Sequence, residues 1–294
     1  MVLSKRLGAH KSTILMTPPT VWFITGASKG LGLTLTKQLL AAGNYVAATS
    51  RTTQALMGAV GSGQSDHFLP LEVDLANEQS VKQAIDTTVA AFGRLDVVVN
   101  NAGYLQFGTL EELSDEEVRR SFDVNVFGPL NVIRHVMPQL RQQRAGHIVN
   151  IASVAGYFGE FPGSGTYTGA KFALSGVSEA LAAEAKPFGI RVTIVYPGTF
   201  RTDFLAGSSL MMPAQPLAEY TEVRAAESQW SAYDGQQPGD PEKAMAVLIE
   251  AATSANPPLH LFLGPDAYEV AASKEASVQH QRETWKNKAT ATNF

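Results

Sequence analysis

The chain has 294 residues and a formal net charge of −4, which gives no electrostatic footprint for binding nucleic acid. It contains no cysteine, which excludes disulfides, thiol nucleophiles and thiolate metal sites. Its six histidines are scattered without a metal-ligand spacing, so we expect no metal site. No apolar run reaches the roughly 18 residues of a membrane span, so we expect a cytoplasmic protein.

The first 19 residues are predicted to be a flexible tail. They carry Lys5, Arg6 and Lys11 but lack a long apolar stretch and a small-residue cleavage site, so a secretory signal is not predicted. Met16 comes shortly before the first predicted strand and is an alternative start. Whether residues 1–15 belong to the native protein therefore stays open.

From residue 20 onward, short apolar runs alternate with segments of helical periodicity. Strands are predicted at 21–25, 45–50, 68–75, 95–103, 147–153, 190–198 and 259–264. Helices are predicted at 33–43, 79–93, 114–143, 165–186 and 241–254. Because the strands are apolar throughout and alternate with helices, we expect one doubly wound α/β Rossmann domain over residues 20–265. Its parallel sheet should have about seven strands with helices on both faces.

The stretch TGASKGLG at 25–32 joins the first predicted strand to the first predicted helix. Gly26 permits the tight turn, Gly30 lets a pyrophosphate approach the backbone, and Gly32 allows close packing of the helix. The phosphates would meet free amides at the helix N-terminus. This predicts a dinucleotide site, the alternative being a glycine-rich turn with a purely structural role.

The end of the second predicted strand indicates which dinucleotide binds. NAD sites usually have a carboxylate there for the ribose 2′-hydroxyl, whereas this chain has Ser50 and Arg51, with Lys29 in the glycine loop. An arginine can bind a 2′-phosphate through two parallel hydrogen bonds. We therefore expect NADP(H) to be favoured over NAD(H). The alternative is two solvated surface cations.

Tyr167 and Lys171 are four residues apart on the predicted helix 165–186, so their side chains leave the same face. A tyrosine with an ordinary pKa near 10 is poorly matched to proton transfer near neutral pH. A lysine cation about 4 Å away contributes about 4 kcal/mol at an effective dielectric near 20, or roughly three pK units. We therefore expect Lys171 to lower the pKa of Tyr167. The spacing alone also fits an ordinary tyrosine beside a solvated lysine.

These motifs together resemble the short-chain dehydrogenase/reductase family in its common Ser–Tyr–Lys form. The shared pattern over about residues 20–265 is TGxxxGxG at 25–32, NNAG at 100–103, Ser153, and Tyr167-xxx-Lys171. The resemblance implies an oxidoreductase acting on CH–OH donors with NAD(P)+ as acceptor and Tyr167 as general acid/base. It implies that Lys171 also binds the nicotinamide ribose and that Asn125 completes the catalytic group. Ser153 can donate a hydrogen bond to the substrate oxygen.

The resemblance also assigns the remaining cofactor contacts. It puts Asp74 and Leu75 near the adenine, although Asp74 also fits a simple strand-end turn, and 197–202 around the nicotinamide amide. In NNAG, Asn100 and Asn101 can tie neighbouring strand ends. The predicted cofactor-binding residues are Gly26, Ser28, Lys29, Gly30, Leu31, Gly32, Arg51, Asp74, Leu75, Asn101, Ala102, Gly103, Tyr167, Lys171, Pro197, Gly198, Thr199 and Thr202.

Two further patterns fall on the predicted helix 114–143. Ser114 and Glu117 have the spacing of a capping box at its start. Pro129 lies four residues after Asn125 and has no N–H to give to the Asn125 carbonyl. We hypothesise that a water there links Asn125 to Lys171 and carries protons. The alternative is a simple proline kink, which could coexist with such a water.

The substrate is predicted from three apolar groups that follow the strands. The segment from Asp203 to about Asp240 is long for a loop, and long loops are often lids or binding elements. The three groups are Phe204, Leu205, Leu210, Met211, Met212, Leu217, Tyr220 and Trp230; Tyr157, Phe158 and Phe161; and Tyr104, Leu105 and Phe107. Their convergence on one pocket would indicate a hydrophobic ketone, aldehyde or alcohol.

Residues 266–294 are predicted to form a polar helical C-terminal extension. The common tetrameric members of the family end near the last strand, whereas this chain continues beyond it. The resemblance therefore does not decide between a monomer, a homodimer and a homotetramer. An NAD-dependent alcohol dehydrogenase and a nucleotide-sensing regulator are alternative functions, although a regulator would be expected to lose Tyr167 or Lys171. An epimerase or dehydratase would need a larger C-terminal domain. Substrate identity, stereochemistry and physiological direction do not follow from the sequence.

Overall fold

The computed structural model describes residues 19–205 and 207–294, so residues 1–18 of the predicted tail lie outside the described part. The strands are β1 (Val21–Ile24), β2 (Tyr45–Ser50), β3 (Phe68–Glu72), β4 (Val97–Asn100), β5 (Leu105–Gln106), β6 (Gly146–Ile151), β7 (Ile190–Pro197), β8 (Leu210–Met211) and β9 (His260–Leu263). The helices are α1 (Gly30–Ala41), α2 (Thr53–Val60), α3 (Glu78–Phe92), α4 (Asp115–Phe122), α5 (Gly128–Gln143), α6 (Gly165–Ala185), α7 (Thr221–Tyr233), α8 (Pro241–Thr253) and α9 (Pro265–Ala289).

Seven of the strands form one parallel sheet in the order β3-β2-β1-β4-β6-β7-β9. This confirms the predicted doubly wound α/β fold. The short strands β5 and β8 form a separate parallel pair in which Leu105 lies opposite Leu210. This pair joins the segment after NNAG to the segment after β7, so both lie at the carboxyl edge of the sheet.

The sheet is buried on both faces because alternate strand residues enter two different cores. Val21 and Phe23 pack with residues of α3, α5 and α6, whereas Trp22 and Ile24 pack with residues of α1, α2 and α8. Successive side chains of a strand point to opposite faces, so a continuously apolar strand requires helices on both sides. These strands could not stand at a solvent-facing surface.

The predicted helix 114–143 is interrupted. The chain forms α4, then a π-helical turn at Asp123–Phe127, and then α5. The N–H of Gly128 donates to the carbonyl of Asp123, five residues back. Since Pro129 has no N–H for the α-helical bond to Asn125, a wider turn at this point fits the covalent chemistry. Asn125 is therefore carried by a π-helical turn within the long helical segment.

Two helices of the described residues were not predicted from the sequence. Helix α2 lies between β2 and β3, and only Leu56 of its residues is buried. Helix α7 lies within 203–240, which is therefore not a structureless loop. The capping box of Ser114 and Glu117 is present at the start of α4. Within the described ranges, no helix has the length and apolar character needed to cross a membrane.

Candidate active site

The glycine-rich loop between β1 and α1 packs directly against NNAG. Gly26 has a φ of +68°, which favours glycine, and a Cβ there would lie 2.7 Å from the Cα of Ala102. A Cβ on Gly32 would lie 2.4 Å from Nδ2 of Asn101. That Nδ2 donates hydrogen bonds to the carbonyls of Thr25 and Gly26, at 2.9 and 3.0 Å. Asn101, directly after β4, therefore fixes the shape of the loop through these two hydrogen bonds.

The start of α1 fits the pyrophosphate of a dinucleotide. Lys29 is at the N-cap without a side-chain cap hydrogen bond, and the first turn has no acidic residue. Amides at such a helix start favour an anion. A Cβ on Gly30 would lie 3.7 Å from the Cβ of Thr202, so Thr202 lies over the loop. Ser28 is half-buried in the loop, and Leu31 packs against the core.

Two cations lie together at the side of the glycine loop where β2 ends. Burial lowers the pKa of Lys29, the charge of Arg51 lowers it further, and Asp203 acts in the opposite direction. Asp74 is exposed after β3 and accepts a hydrogen bond from the backbone two residues later, at 3.0 Å, as a turn residue does. Leu75 packs against the first residue of α5. This corner therefore combines positive charge with a polar turn.

Tyr167 and Lys171 lie one turn apart on α6, and both are buried, with 5% and 3% of their surface exposed. Nζ of Lys171 is 5.7 Å from the centre of the Tyr167 ring and donates to the carbonyl of Ile151 at 2.9 Å. Ser153 follows β6, and its Oγ accepts a hydrogen bond from the N–H of Ala155 at 3.1 Å. A hydrogen bond with the Ser153 hydroxyl also acts on the Tyr167 phenol. The fold therefore brings the three predicted side chains together.

The predicted direction of the Tyr167 pKa shift is wrong for this structure. Burial raises the pKa of Tyr167 to about 12, opposed by the hydrogen bond with Ser153. Burial lowers the pKa of Lys171 to about 8. The ring of Phe204 packs at a tilt beside the ring of Tyr167, with the ring centres 6.2 Å apart. A phenolate removed from water loses its solvation, which raises the pKa of the phenol.

Asn125 completes the group from the π-helical turn. It is fully buried, and its Nδ2 donates to the carbonyls of Tyr104 and Ser121, at 3.1 and 3.0 Å. Its Oδ1 is buried without a hydrogen-bond partner among the described residues. A Cβ on Gly103 would lie 2.6 Å from that oxygen and 3.3 Å from Nζ of Lys171. Gly103 therefore leaves room beside an unsatisfied acceptor and a buried cation.

The loop after β7 is held by the last strand and the last helix. Pro197 ends β7, and the N–H of Gly198 donates to the carbonyl of Leu263 at 2.9 Å. Both the N–H and the hydroxyl of Thr199 donate to Asp266, each at 2.7 Å. Of the two predicted threonines, Thr199 is thus directed to α9, and Thr202 lies at the glycine loop.

Two of the three predicted apolar groups meet, through the β5–β8 pair and through α7. The N–H of Phe107 donates to the carbonyl of Met211 at 2.8 Å. A Cβ on Gly163 would touch both the Phe107 ring, at 2.5 Å, and Val223 of α7, at 2.8 Å. Phe107 itself is buried, so it supports this wall from within.

Tyr157 does not belong to the predicted pocket. Its ring packs edge-on against Tyr196, with centres 5.5 Å apart, and its hydroxyl donates to Glu275 of α9 at 2.8 Å. It lines a groove of about 770 Å³ between α6 and α9. Because Tyr157 lies only four residues after Ser153, the sequence predicted that it lies beside the active site. The turn at Val154–Gly156 instead directs the two side chains differently.

A buried ion pair that the sequence did not indicate fixes α7. The Glu112 side chain is fully buried and lies 3.0 Å from a guanidinium nitrogen of Arg224. Its carboxylate also accepts hydrogen bonds from the N–H groups of Thr109 and Leu217, each at 2.7 Å. Glu112 lies in an acidic stretch that reads as a solvated helix start, so no local signal marks it.

Comparison with known proteins identifies the class. A family model for short chain dehydrogenase matches residues 20–212. The chain is 34% identical over 272 residues to oxidoreductase BOA17 of Botryotinia fuckeliana, covering 92% of this chain and 98% of that protein. It is 34% identical over 247 residues to 3-ketodihydrosphingosine reductase of Bacteroides thetaiotaomicron, covering 84% and 88%. The crystal structure of a short-chain dehydrogenase from Streptomyces avermitilis matches with a TM-score of 0.85 at 35% identity, covering 95% of this chain and 100% of that one.

The chain belongs to the short-chain dehydrogenase/reductase family. It is an oxidoreductase that acts on CH–OH groups with NAD(P). The described side chains form no group of three or more His, Asp or Glu residues that could hold a metal ion.

Proposed function

We propose that this enzyme uses NADP(H) to interconvert a hydrophobic ketone or aldehyde and its alcohol. The observation that carries the proposal is the buried Tyr167 phenol, hydrogen-bonded with Ser153 and one helical turn before Lys171. When bound, the nicotinamide supplies the hydride for reduction. The protein must supply the proton and stabilise the carbonyl oxygen as it gains charge.

Tyr167 is the general acid in reduction and the base in oxidation. With its pKa raised to about 12, the phenol is protonated at neutral pH, which is the form that reduction requires. Ser153 can donate to the same substrate oxygen and stabilise its developing charge. The raised pKa therefore supports Tyr167 as the proton donor in reduction.

Lys171 keeps a positive charge beside the phenol. Its pKa of about 8 leaves it mostly protonated at pH 7. An ammonium has three donors, one of which is given to the carbonyl of Ile151. The remaining donors can bind a ribose hydroxyl and a water, and Oδ1 of Asn125 is an acceptor close enough to hold that water. This supports a proton path from solvent to Tyr167.

The preference for NADP(H) rests on Lys29 and Arg51. Their mutual effect on the Lys29 pKa supports a joint positive field where a 2′-phosphate would lie. Strand β2 ends in Ser50 without a carboxylate to accept a ribose hydroxyl. An NAD-dependent enzyme would be expected to have the opposite charge there.

The apolar character of the substrate is inferred from the cover of the site. Phe204 packs beside the ring of Tyr167, and the β5–β8 pair brings Leu105 beside Leu210. Because Tyr167 is almost fully buried and the Phe204 ring packs beside it, we propose that Phe204 moves when the substrate enters. A substrate with apolar groups near its carbonyl would replace these contacts at little cost.

Turnover of a panel of ketones, aldehydes and alcohols, followed by nicotinamide absorbance with NADPH and with NADH, tests the proposal. We expect NADPH oxidation with apolar carbonyl compounds and weaker activity with NADH. Arg51→Asp should lower kcat/KM for NADPH by about ten- to a hundred-fold, since it removes a charge-assisted hydrogen bond. Lys37→Asp is the matched control, because it makes the same charge change at an exposed position of α1.

Equal rates with NADH and NADPH, together with no effect of Arg51→Asp, would refute the NADP(H) assignment. Tight cofactor binding without turnover across the whole panel would refute the proposed reaction and favour a nucleotide-sensing role.

A further inference from the structure

The carboxylate of Asp266, at the start of α9, joins the C-terminal helix to the loop after β7. Oδ2 accepts hydrogen bonds from the N–H and the hydroxyl of Thr199, each at 2.7 Å. Oδ1 accepts from the N–H of Ala267 at 3.0 Å, within the first turn of α9. A negative charge is favourable at this end of a helix, so the carboxylate is held in place from both sides.

The loop backbone lies directly against this carboxylate. A Cβ on Gly198 would lie 2.1 Å from Oδ1 of Asp266, and a Cβ on Gly264 would lie 2.6 Å from the same oxygen. Both positions therefore need glycine for the carboxylate to fit. The contact is built into the packing of the loop, and a side chain at either position would push the carboxylate away from Thr199.

Thr199 is also held on its other side. Its carbonyl accepts a hydrogen bond from the N–H of Gly239 at 3.1 Å, and the carbonyl of Gly239 accepts from the N–H of Arg201 at 2.9 Å. The N–H and the hydroxyl of Thr199 both donate to Asp266, so its N–H, hydroxyl and carbonyl all have partners within the protein. In this arrangement Thr199 fixes the loop, and Thr202, over Gly30, is the threonine that faces the glycine-rich loop.

We propose that Asp266 is a positioning residue that sets residues 197–202 for the nicotinamide half of the cofactor. This proposal rests on the proposed contact of that loop with the nicotinamide. A loop fixed before binding loses less conformational entropy when the ligand binds. Without Asp266, Thr199 has two unpaired donors, and the loop must be ordered at the expense of affinity. The start of the C-terminal extension thus acts on the cofactor site through Thr199.

The test compares a whole dinucleotide with its adenosine half. Titration calorimetry of Asp266→Ala should show about ten-fold weaker binding of NADP+, the loss expected for hydrogen bonds to a charged acceptor. Binding of 2′,5′-ADP, which lacks the nicotinamide, should be unchanged. NAD+ and ADP-ribose are measured in the same way, so that failure of the NADP(H) assignment does not affect this comparison.

Ser114→Ala is the matched control because it also removes a side chain that holds a helix start, at α4. It should lower the unfolding temperature without changing the ratio of the two affinities. Thr199→Val removes one of the two bonds to Asp266 and should weaken NADP+ binding less than Asp266→Ala. The double variant should bind no more weakly than Asp266→Ala alone, since both changes act through one contact.

Equal weakening of the dinucleotide and its adenosine half in Asp266→Ala would overturn the proposal, since it would indicate general damage to the fold. Unchanged NADP+ binding in a folded Asp266→Ala variant would also overturn it. Where Asp266→Ala does not fold, Thr199→Val alone decides: a dinucleotide affinity equal to that of the wild type contradicts the proposal.

Discussion

Lys171 is a buried cation that costs stability, and Lys171→Met is expected to stabilise the fold while abolishing activity. Burial lowers its pKa from 10.5 to about 8. A shift of roughly 2.5 units, at about 1.4 kcal/mol for each unit, corresponds to about 3 kcal/mol at pH 7. Methionine keeps the apolar stem but loses the hydrogen bond to the Ile151 carbonyl, which costs about 1 kcal/mol. The free energy of unfolding should therefore rise by about 2 kcal/mol.

The effect should depend on pH in a defined direction. The folded-state pKa lies below the unfolded-state value, so between about pH 8 and 10.5 the unfolded chain binds more protons than the folded one. The wild type therefore gains stability from this group as the pH rises through that window. The advantage of Lys171→Met should be complete below pH 8 and absent near pH 10.

Urea unfolding of both proteins at pH 7 and pH 10 measures this difference, since other titrating groups are common to both and cancel. A variant that is less stable than the wild type at pH 7 would refute the reasoning. An advantage of equal size at both pH values would also refute it, because the gain would then come from packing instead of charge.

Three further predictions follow from buried polar groups of the described structure. Burial lowers the pKa of His147 to about 4, so the stability that this group contributes above its ordinary pKa near 6.5 should be lost as the pH falls through 4. Urea unfolding at pH 7 and pH 4.5 should therefore show a smaller loss in the free energy of unfolding for His147→Gln than for the wild type. Glu112→Gln puts an amide N–H against buried donors, so it should lower the free energy of unfolding by about 2–4 kcal/mol and speed proteolysis within 213–233. Glu111→Gln, the control at an exposed hydrogen bond with Tyr220, should have little effect. Equal proteolysis of the two variants would contradict the role of the ion pair. Tyr167→Phe should lower the reduction rate at least about a hundred-fold without lowering the unfolding temperature, and full activity would exclude Tyr167 as the proton donor.

Local patterns predicted those parts of the fold whose cause is local. Continuously apolar strands such as Val97–Asn100 require burial on both faces, whatever the rest of the chain does. The Ser114–Glu117 box needs only the backbone of one helical turn. Helix α2 was missed because it buries a single leucine and so has little apolar periodicity. Pro129 was the only sequence signal for the break of the long helix at Asp123–Phe127. A proline shows that a backbone N–H is missing, but it does not show that the chain forms a π-helical turn there.

The sequence by itself determined the fold class and the order of the chemical groups, because strand burial, helix starts and the spacing of Tyr167 and Lys171 depend on neighbouring residues. Only the tertiary structure decided the direction of the Tyr167 pKa shift. That direction depends on the burial of Tyr167, and Phe204, from a distant part of the chain, packs beside its ring. The link from Asp266 to Thr199 and the pairing of Glu112 with Arg224 likewise join segments far apart in the chain. Contacts between residues far apart in the chain produce no periodic pattern in a single sequence, so neither of these two contacts could be predicted from the sequence.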